Sequence, residues 1–178
     1  MMGLLHRLAT RADLAALTAL MDAAIGELQK PFLSQAEIAS SRMIMGLDTQ
    51  LIDDGTYFVV ESASTIVGCG GWSRRQSLFG SDAGRAAMAS ALIDPARDAA
   101  RIRAFFVHPD HARQGVGRLI MEACENAIAQ AQFHAIELVA TLAGEPLYAA
   151  FAYTVIERFD IPLPGGLFLP AVRMTKTL

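Results

Sequence analysis

The chain has 178 residues, of which 53% are hydrophobic and 19% charged, and its formal net charge is −3. This composition excludes a disordered chain and argues against a nucleic-acid-binding protein held mainly by phosphate contacts. The length predicts one domain spanning residues 1–178.

The sequence indicates a cytoplasmic protein. No apolar stretch approaches the ~20 residues that cross a bilayer, and the first ten residues lack the features of a signal peptide. The two cysteines, Cys69 and Cys124, lie far apart without a CxxC motif. We therefore expect a reduced protein that does not bind a membrane.

In the first part of the chain, a short strand is predicted over residues 4–8. A helix follows, because apolar residues recur every three or four positions from Leu14 to Leu28. Thr10 and Asp13 form a capping-box pattern at its start. Ser34 predicts the start of a second helix, which we extend to about Gly46.

Two adjacent strands are predicted next, over residues 56–61 and 65–72. Gly68, Gly70 and Gly71 weaken the second strand, which favours a bulge or a close backbone approach there. Residues 73–100 then show no periodicity, although 83–92 could form a short helix. We interpret 73–100 as an insertion or lid, because one core must use both flanks.

Regular strand and helix patterns return after residue 100. The patterns predict a strand over 102–107, a polar turn, a helix from 118 to about 131 and a strand over 136–141. A helix over 147–152 and two strands over 155–161 and 168–175 complete the order. The fold class is therefore mixed α/β.

The turn after residues 102–107 contains the residues that indicate a ligand site. Gly115 and Gly117 open the following helix, with Arg113 and Arg118 beside them. A helix N-terminus offers unpaired N–H groups and a positive dipole end, and glycine lets a ligand approach closely. The turn therefore predicts a phosphate or pyrophosphate site. The usual NTPase loop is absent, and Ile120 stands where a dinucleotide-binding fold needs a third glycine.

This stretch resembles motif A of the GNAT superfamily of acetyl-CoA-dependent N-acetyltransferases. Val107-His108-Pro109 and Gly115-x-Gly117 match the superfamily pattern, while Ala112 replaces its usual Gln or Arg. The resemblance implies a mixed, mostly antiparallel central sheet flanked by helices. It also implies a V-shaped splay between the strands at 102–107 and 136–141, which admits the cofactor.

The resemblance assigns the acetyl-CoA contacts. Main-chain groups of Phe105, Phe106 and Val107 would pair with the pantetheine arm. Backbone N–H groups of the helix-opening turn would hold the pyrophosphate, namely those of Arg113, Gln114, Gly115, Val116, Gly117 and Arg118.

A second superfamily signature implies the catalytic residue. It reads here Thr141-x-x-Gly144-x-x-Leu147-Tyr148-x-x-x-Ala152-Tyr153, and only Tyr148 is unchanged. In the family this tyrosine protonates the leaving thiolate, and a tyrosine is protonated at neutral pH. The alternative is a buried tyrosine on an apolar helix face.

The implied reaction is direct attack of an amine on the thioester in a ternary complex, with a backbone N–H near Val107 as oxyanion donor. For the general base the sequence leaves open Glu61, Glu137, a water chain or an acceptor that arrives neutral. Two other functions stay open as well: a non-catalytic acyl-CoA-binding or sensor module, and a nucleotide-phosphate protein unrelated to CoA.

The acceptor is a small-molecule or peptide amine of unknown identity. By position in the family, Phe32, Trp72 and Arg75 are candidates for its pocket, and 73–100 is a candidate cover. Core packing is the alternative for Phe32, and a solvated strand end is the alternative for Trp72 and Arg75. We expect no metal site, since His108 and His111 lack further ligands. The apolar composition and the final hairpin favour a homodimer.

Overall fold

The computed structural model describes residues 3–84 and 90–178. The α-helices are α1 (Leu14–Leu28), α2 (Gln35–Ser41), α3 (Thr49–Asp53), α4 (Val116–Gln130) and α5 (Glu145–Ala150). The strands are β1 (Leu5–Leu8), β2 (Tyr57–Ser62), β3 (Thr65–Ser73), β4 (Ala100–Val107), β5 (Ala135–Thr141), β6 (Thr154–Leu163) and β7 (Leu167–Thr177). None of the described helices is long and apolar enough to cross a membrane.

Both predicted helix starts are confirmed. The Asp13 carboxylate accepts from the Thr10 backbone N–H at 2.7 Å, although the first turn is a 3-10 turn and α1 itself begins at Leu14. At α2, the Ser34 hydroxyl accepts from the Glu37 N–H at 3.3 Å, and the Glu37 carboxylate accepts from the Ser34 N–H at 2.7 Å. Each pair satisfies N–H groups that would otherwise be unpaired.

The segment after α2 differs from the prediction. The helix ends at Ser41 instead of continuing to about Gly46, and the Ser41 hydroxyl donates to the Ile38 carbonyl at 2.8 Å. Gly46 has φ +145°, a backbone conformation that ends any helical path and that glycine tolerates. The short helix α3 then follows, which the sequence did not predict. The predicted helix over 83–92 falls partly on residues 85–89, outside the described residues.

The seven strands form one sheet in the order β1-β2-β3-β4-β5-β7-β6, in which only β4 and β5 pair in parallel. Successive side chains of a strand point to opposite faces, and the neighbours Val59 and Val60 belong to different core clusters. Helices α1 to α3 cover the face of Val59, and α4 covers the face of Val60. The predicted mixed, mostly antiparallel sheet between helices is confirmed.

Helix α4 lies directly against the glycines of β3. A Cβ on Gly68 would stand 2.3 Å from Cγ1 of Val116, and one on Gly70 would stand 2.6 Å from Cδ2 of Phe105. The register of β2 against β3 also shifts between Val60 and Glu61, where two residue steps of β3, from Gly68 to Ile66, face one step of β2. Both features predicted from these glycines, the bulge and the close approach, are therefore present.

The two central strands separate along their length. Strands β4 and β5 pair only at Ala100 with Ile136 and at Arg101 with Glu137. Strand β4 then continues to Val107 and β5 to Thr141 without further pairing between these two strands. This divergence is the V-shaped splay that the sequence predicted, and it positions the site.

Candidate active site

A cavity of about 650 Å³ lies in the splay. One wall is β4 from Ile102 to Val107, and the opposite wall is the chain from Val139 to Gly144. The cavity extends from the first turn of α4 at one end to α1 and the loop Leu78–Gly80 at the other. It therefore joins the predicted cofactor turn to the region predicted for the acceptor.

A bulge in β4 shapes the wall of this cavity. Ala104 has φ +50°, and its carbonyl accepts a hydrogen bond from the buried Tyr57 hydroxyl at 2.7 Å. Past Arg101, the edge of β4 that faces β5 has no strand partner among the described residues. Unpaired backbone groups of a strand edge bind an extended partner as an added strand. The edge therefore fits the amide-containing arm of acetyl-CoA, and the backbone of Phe105, Phe106 and Val107 lies along it.

The turn before α4 has the backbone shape of an anion site. Arg113 has φ +64° and Gly115, the N-cap of α4, has φ +88°. Left-handed residues next to a helix start turn successive N–H groups towards one point, and the helix dipole adds positive potential. Arg113, Gly115, Gly117 and Arg118 line the cavity.

The other two predicted turn residues use their side chains for the fold. The Gln114 side chain donates to the Asp110 carbonyl at 2.8 Å, which closes the turn. Val116 is buried against β3. Neither residue is among those that line the cavity.

Tyr148 lies on α5, whose first turn contains Pro146, and it lines the cavity. Its ring packs edge-to-face against Phe105, with centroids 5.9 Å apart. A Cβ on Gly144 would stand 3.3 Å from Cε2 of Tyr148, so this position requires a small residue. Burial raises the pKa of the Tyr148 hydroxyl well above its usual value. The hydroxyl is therefore protonated at neutral pH and can donate to a bound group.

Of the three predicted acceptor-pocket residues, only Phe32 lines the cavity. Trp72 is 4% exposed and packs edge-to-face on Phe133, in the core on the α4 side of the sheet. Arg75 pairs with Asp54 at 2.7 Å and donates to the Ser90 carbonyl. The structure therefore places Trp72 and Arg75 away from this cavity: Trp72 packs in the core, and Arg75 links Asp54 to the insertion.

The two predicted general-base candidates also lie outside the cavity. Glu61 pairs with Arg7 at the sheet edge, at 2.7 Å. Glu137 pairs with Arg101 and Arg173, at 3.0 and 2.8 Å. Among the described residues, the cavity lining contains no Asp, Glu or Cys. Burial raises the pKa of Cys69 to about 12 and that of Cys124 further, so neither thiol is a ready nucleophile.

Sequence reasoning missed several residues that line the cavity. Gln29, at the end of α1, donates to the Thr141 hydroxyl at 3.3 Å. Leu78, Phe79 and Gly80 come from the segment predicted as an insertion, so part of 73–100 borders the cavity. The sequence offered two signals. One is the amide Gln29 at the end of the apolar face of α1, and the other is the apolar pair Leu78 and Phe79 inside a polar segment.

Comparison with known proteins identifies the fold and the family. The chain is similar to a GCN5-related N-acetyltransferase from Rhodopseudomonas palustris, at 20% identity and TM-score 0.71 over 98% of this chain and 95% of that one. It is also similar to PaiA N-acetyltransferase from Thermoplasma acidophilum, solved with coenzyme A, at 12% identity and TM-score 0.67 over 99% and 100%. A third similar structure is YncA from Salmonella typhimurium, a putative acetyltransferase solved with acetyl-CoA, at 18% identity and TM-score 0.65 over 99% and 94%.

A comparison with curated proteins finds no significant match. The model of the acetyltransferase (GNAT) family matches residues 18–153, most of the chain. The family resemblance read from the two glycines and the tyrosine segment is thereby confirmed. This chain belongs to the GNAT family and is a GNAT-type N-acetyltransferase.

Proposed function

We propose that this protein transfers an acetyl group from acetyl-CoA to an amine by direct attack, with both substrates bound together. One observation carries the proposal. A single cavity joins the first turn of α4, the edge of β4 that β5 leaves unpaired, and Tyr148. The similar structures solved with coenzyme A and acetyl-CoA support the choice of cosubstrate.

The residues that would hold acetyl-CoA lie in order along the cavity. The backbone N–H groups from Arg113 to Arg118 would bind the pyrophosphate, with the Arg113 guanidinium adding positive charge. Arg118 contributes less, because Glu122 pairs with it at 2.8 Å. The β4 edge from Phe105 to Val107 would bind the pantetheine arm and direct it towards Tyr148.

The proposed reaction needs few catalytic groups from the protein. Acetyl-CoA supplies an acyl thioester that an amine can attack directly. Tyr148 would donate its hydroxyl proton to the leaving sulfur, and a backbone N–H near Val107 would stabilise the developing oxyanion. With no carboxylate among the described lining residues, we propose that the amine arrives neutral or loses its proton to water.

A second candidate function is a non-catalytic acyl-CoA sensor. The same absence of a lining carboxylate among the described residues favours it, since a sensor needs no base. Release of free thiol from acetyl-CoA in the presence of amines separates the two functions.

The decisive comparison uses Tyr148→Phe with Tyr153→Phe as its matched control. Tyr153 lies next to Tyr148, with ring centroids 6.1 Å apart, but does not line the cavity. We expect Tyr148→Phe to lower kcat by about a hundredfold, the usual contribution of a positioned acid, with the Kd for CoA unchanged. Tyr153→Phe should retain its rate. Equal rates in wild type and Tyr148→Phe would contradict the role, and CoA binding without any turnover would favour the sensor.

Two further expectations stand as proposals. A cytoplasmic location is supported by the two cysteines, which are both buried and unpaired. A homodimer is supported by exposed apolar residues on the edge strand β6, Val155 and Ile156.

A further inference from the structure

We infer that the acceptor is a small primary amine carried on an uncharged, apolar body. The inference rests on the proposed function and names the substrate class of the same cavity. It rests on the type, charge and exposure of the side chains at the end of the cavity away from α4.

The acceptor end of the cavity is built almost entirely from hydrocarbon. Helix α1, the segment after α2, the insertion and the β6–β7 hairpin each contribute apolar side chains to it. Representative members are Ile25, Phe32, Ile44, Phe79, Ile161 and Leu169. Burying an apolar body against such a wall gains about 25 cal/mol per Å², whereas burying an unpaired polar group there costs free energy.

The charges at this end exclude a second cationic group on the acceptor. The described lining residues include three arginines and no carboxylate, so a polyamine would find no counter-charge. Of the three, Arg103 stands at the acceptor end, and it donates to Asp48 at 2.9 Å and to the carbonyls of Ser77 and Gly80. Because its guanidinium already has these partners, a carboxylate on the acceptor gains little from it.

We assign Gln29 to hold the amine. Gln29 is 5% exposed, and its side-chain N–H₂ donates to the Thr141 hydroxyl. Gln29 lines the cavity, and its side-chain carbonyl oxygen accepts no hydrogen bond within the described part of the chain. A carbonyl oxygen accepts one N–H of a neutral amine, so Gln29 supplies the matching polar contact.

The exposure of the rim shows why this space receives the acceptor and not a long acyl chain. Phe32 and Phe79 line the cavity yet are 47% and 42% exposed. This end is therefore open to solvent, as an entry for a second substrate requires. An acyl chain reaching the same place would leave its end in water.

The test measures kcat/KM with acetyl-CoA for three probes: 2-phenylethylamine, phenylalanine and spermidine. We expect 2-phenylethylamine to exceed each of the others by about tenfold or more, the scale on which apolar pockets discriminate. Equal values, or a preference for spermidine, overturn the inference while leaving acetyl transfer intact.

Phe32→Asp gives the matched test of the wall. It places a carboxylate at the rim, so kcat/KM for 2-phenylethylamine should fall by about tenfold with the KM for acetyl-CoA unchanged. Phe168→Asp is the control, because Phe168 is 50% exposed and does not line the cavity. Equal loss in both variants overturns the assignment of Phe32.

If no amine turns over, binding of 2-phenylethylamine to the CoA-saturated protein decides the inference separately. Binding that Phe32→Asp weakens supports the apolar amine site, even though the transferase proposal has then failed. Absence of binding overturns the inference.

Discussion

Substitution of Gly117 tests the proposed cofactor site. It lies in the first turn of α4 and lines the cavity, and a Cβ there would stand 3.1 Å from Cδ2 of Leu147. A glutamate would add negative charge where the pyrophosphate is proposed to bind. Like charges in an interface cost several kcal/mol, so Gly117→Glu should raise the Kd for CoA by about a hundredfold or more.

The neutral variant Gly117→Gln separates charge from bulk, because its side chain is nearly the same size. It should bind CoA more tightly than Gly117→Glu, and Gly3→Glu should bind like wild type, since nothing lies within 4 Å of a Cβ on Gly3. Calorimetric titration with CoA measures all three. Wild-type affinity in folded Gly117→Glu would contradict the assignment.

The turn before α4 and Trp72 show which parts of the site could be predicted from the sequence and which could not. The turn before α4 was predictable because glycines and a helix start define it locally, and Arg113 and Gly115 within it have left-handed backbone conformations. The placement of Trp72 was not predictable. Both faces of β3 are buried under helices, so burial along the strand does not indicate which side of the sheet Trp72 takes.

At the scale of elements, β1 is an edge strand with no buried side chain, and ion pairs hold it in place. The Arg7 guanidinium donates to Asp13 at 2.8 Å and to Glu61 at 2.7 Å, which links β1 to the start of α1 and to β2. The hydrogen bonds from Arg7 lower the pKa of Asp13 from 3.8 to about 2, against the opposing effect of burial.

Since the folded-state pKa lies below the unfolded value, this cluster stabilises the fold fully above about pH 4. The stabilisation is lost as the pH falls towards about 2. Asp13→Asn should lower the free energy of unfolding at neutral pH by about 1–2 kcal/mol, and the loss should disappear at low pH. Urea titrations across this pH range measure it.

Asp22→Asn, at an exposed ion pair on α1, is the control for the Arg7 cluster. Its carboxylate pairs with Arg42 at 3.0 Å, but the Asp22 side chain is 65% exposed, and such surface pairs contribute little. A pH-independent loss in Asp13→Asn, or the same loss in Asp22→Asn, would contradict the role of the Arg7 cluster.

The elements themselves were predictable where they are long or capped. Helices α1 and α4 have apolar faces several turns long, and Ser34 with Glu37 marks the start of α2. The short helix α3 escaped prediction because five residues are too few to show a helical period. The end of α2 was placed too late because apolar residues continue through Met43, Ile44 and Met45 after the helix has stopped.

At the scale of the whole molecule, the central feature is one cavity reached from two sides. The half that we propose for the cofactor lies at the β4–α4 turn, and the half that we propose for the acceptor lies between α1, the insertion and the β6–β7 hairpin. Neither half is a continuous segment, so composition and periodicity could not show that they meet. The family resemblance did predict the splay, because the motif at β4 and α4 comes with a known pairing of strands.

The proposed direct transfer requires that both substrates be bound when the acetyl group moves. The described lining residues offer no thiol to carry it, and both cysteines are buried elsewhere with raised pKa values. A ternary complex and an acetyl-enzyme differ in their initial-rate patterns, which makes kinetics the most direct measurement.

Initial rates measured with acetyl-CoA and 2-phenylethylamine both varied therefore test the central claim. Transfer within one shared cavity predicts double-reciprocal lines that intersect, and no acetylated protein after incubation with acetyl-CoA alone. Parallel lines together with an acetylated side chain, found by mass spectrometry of the protein, would contradict it.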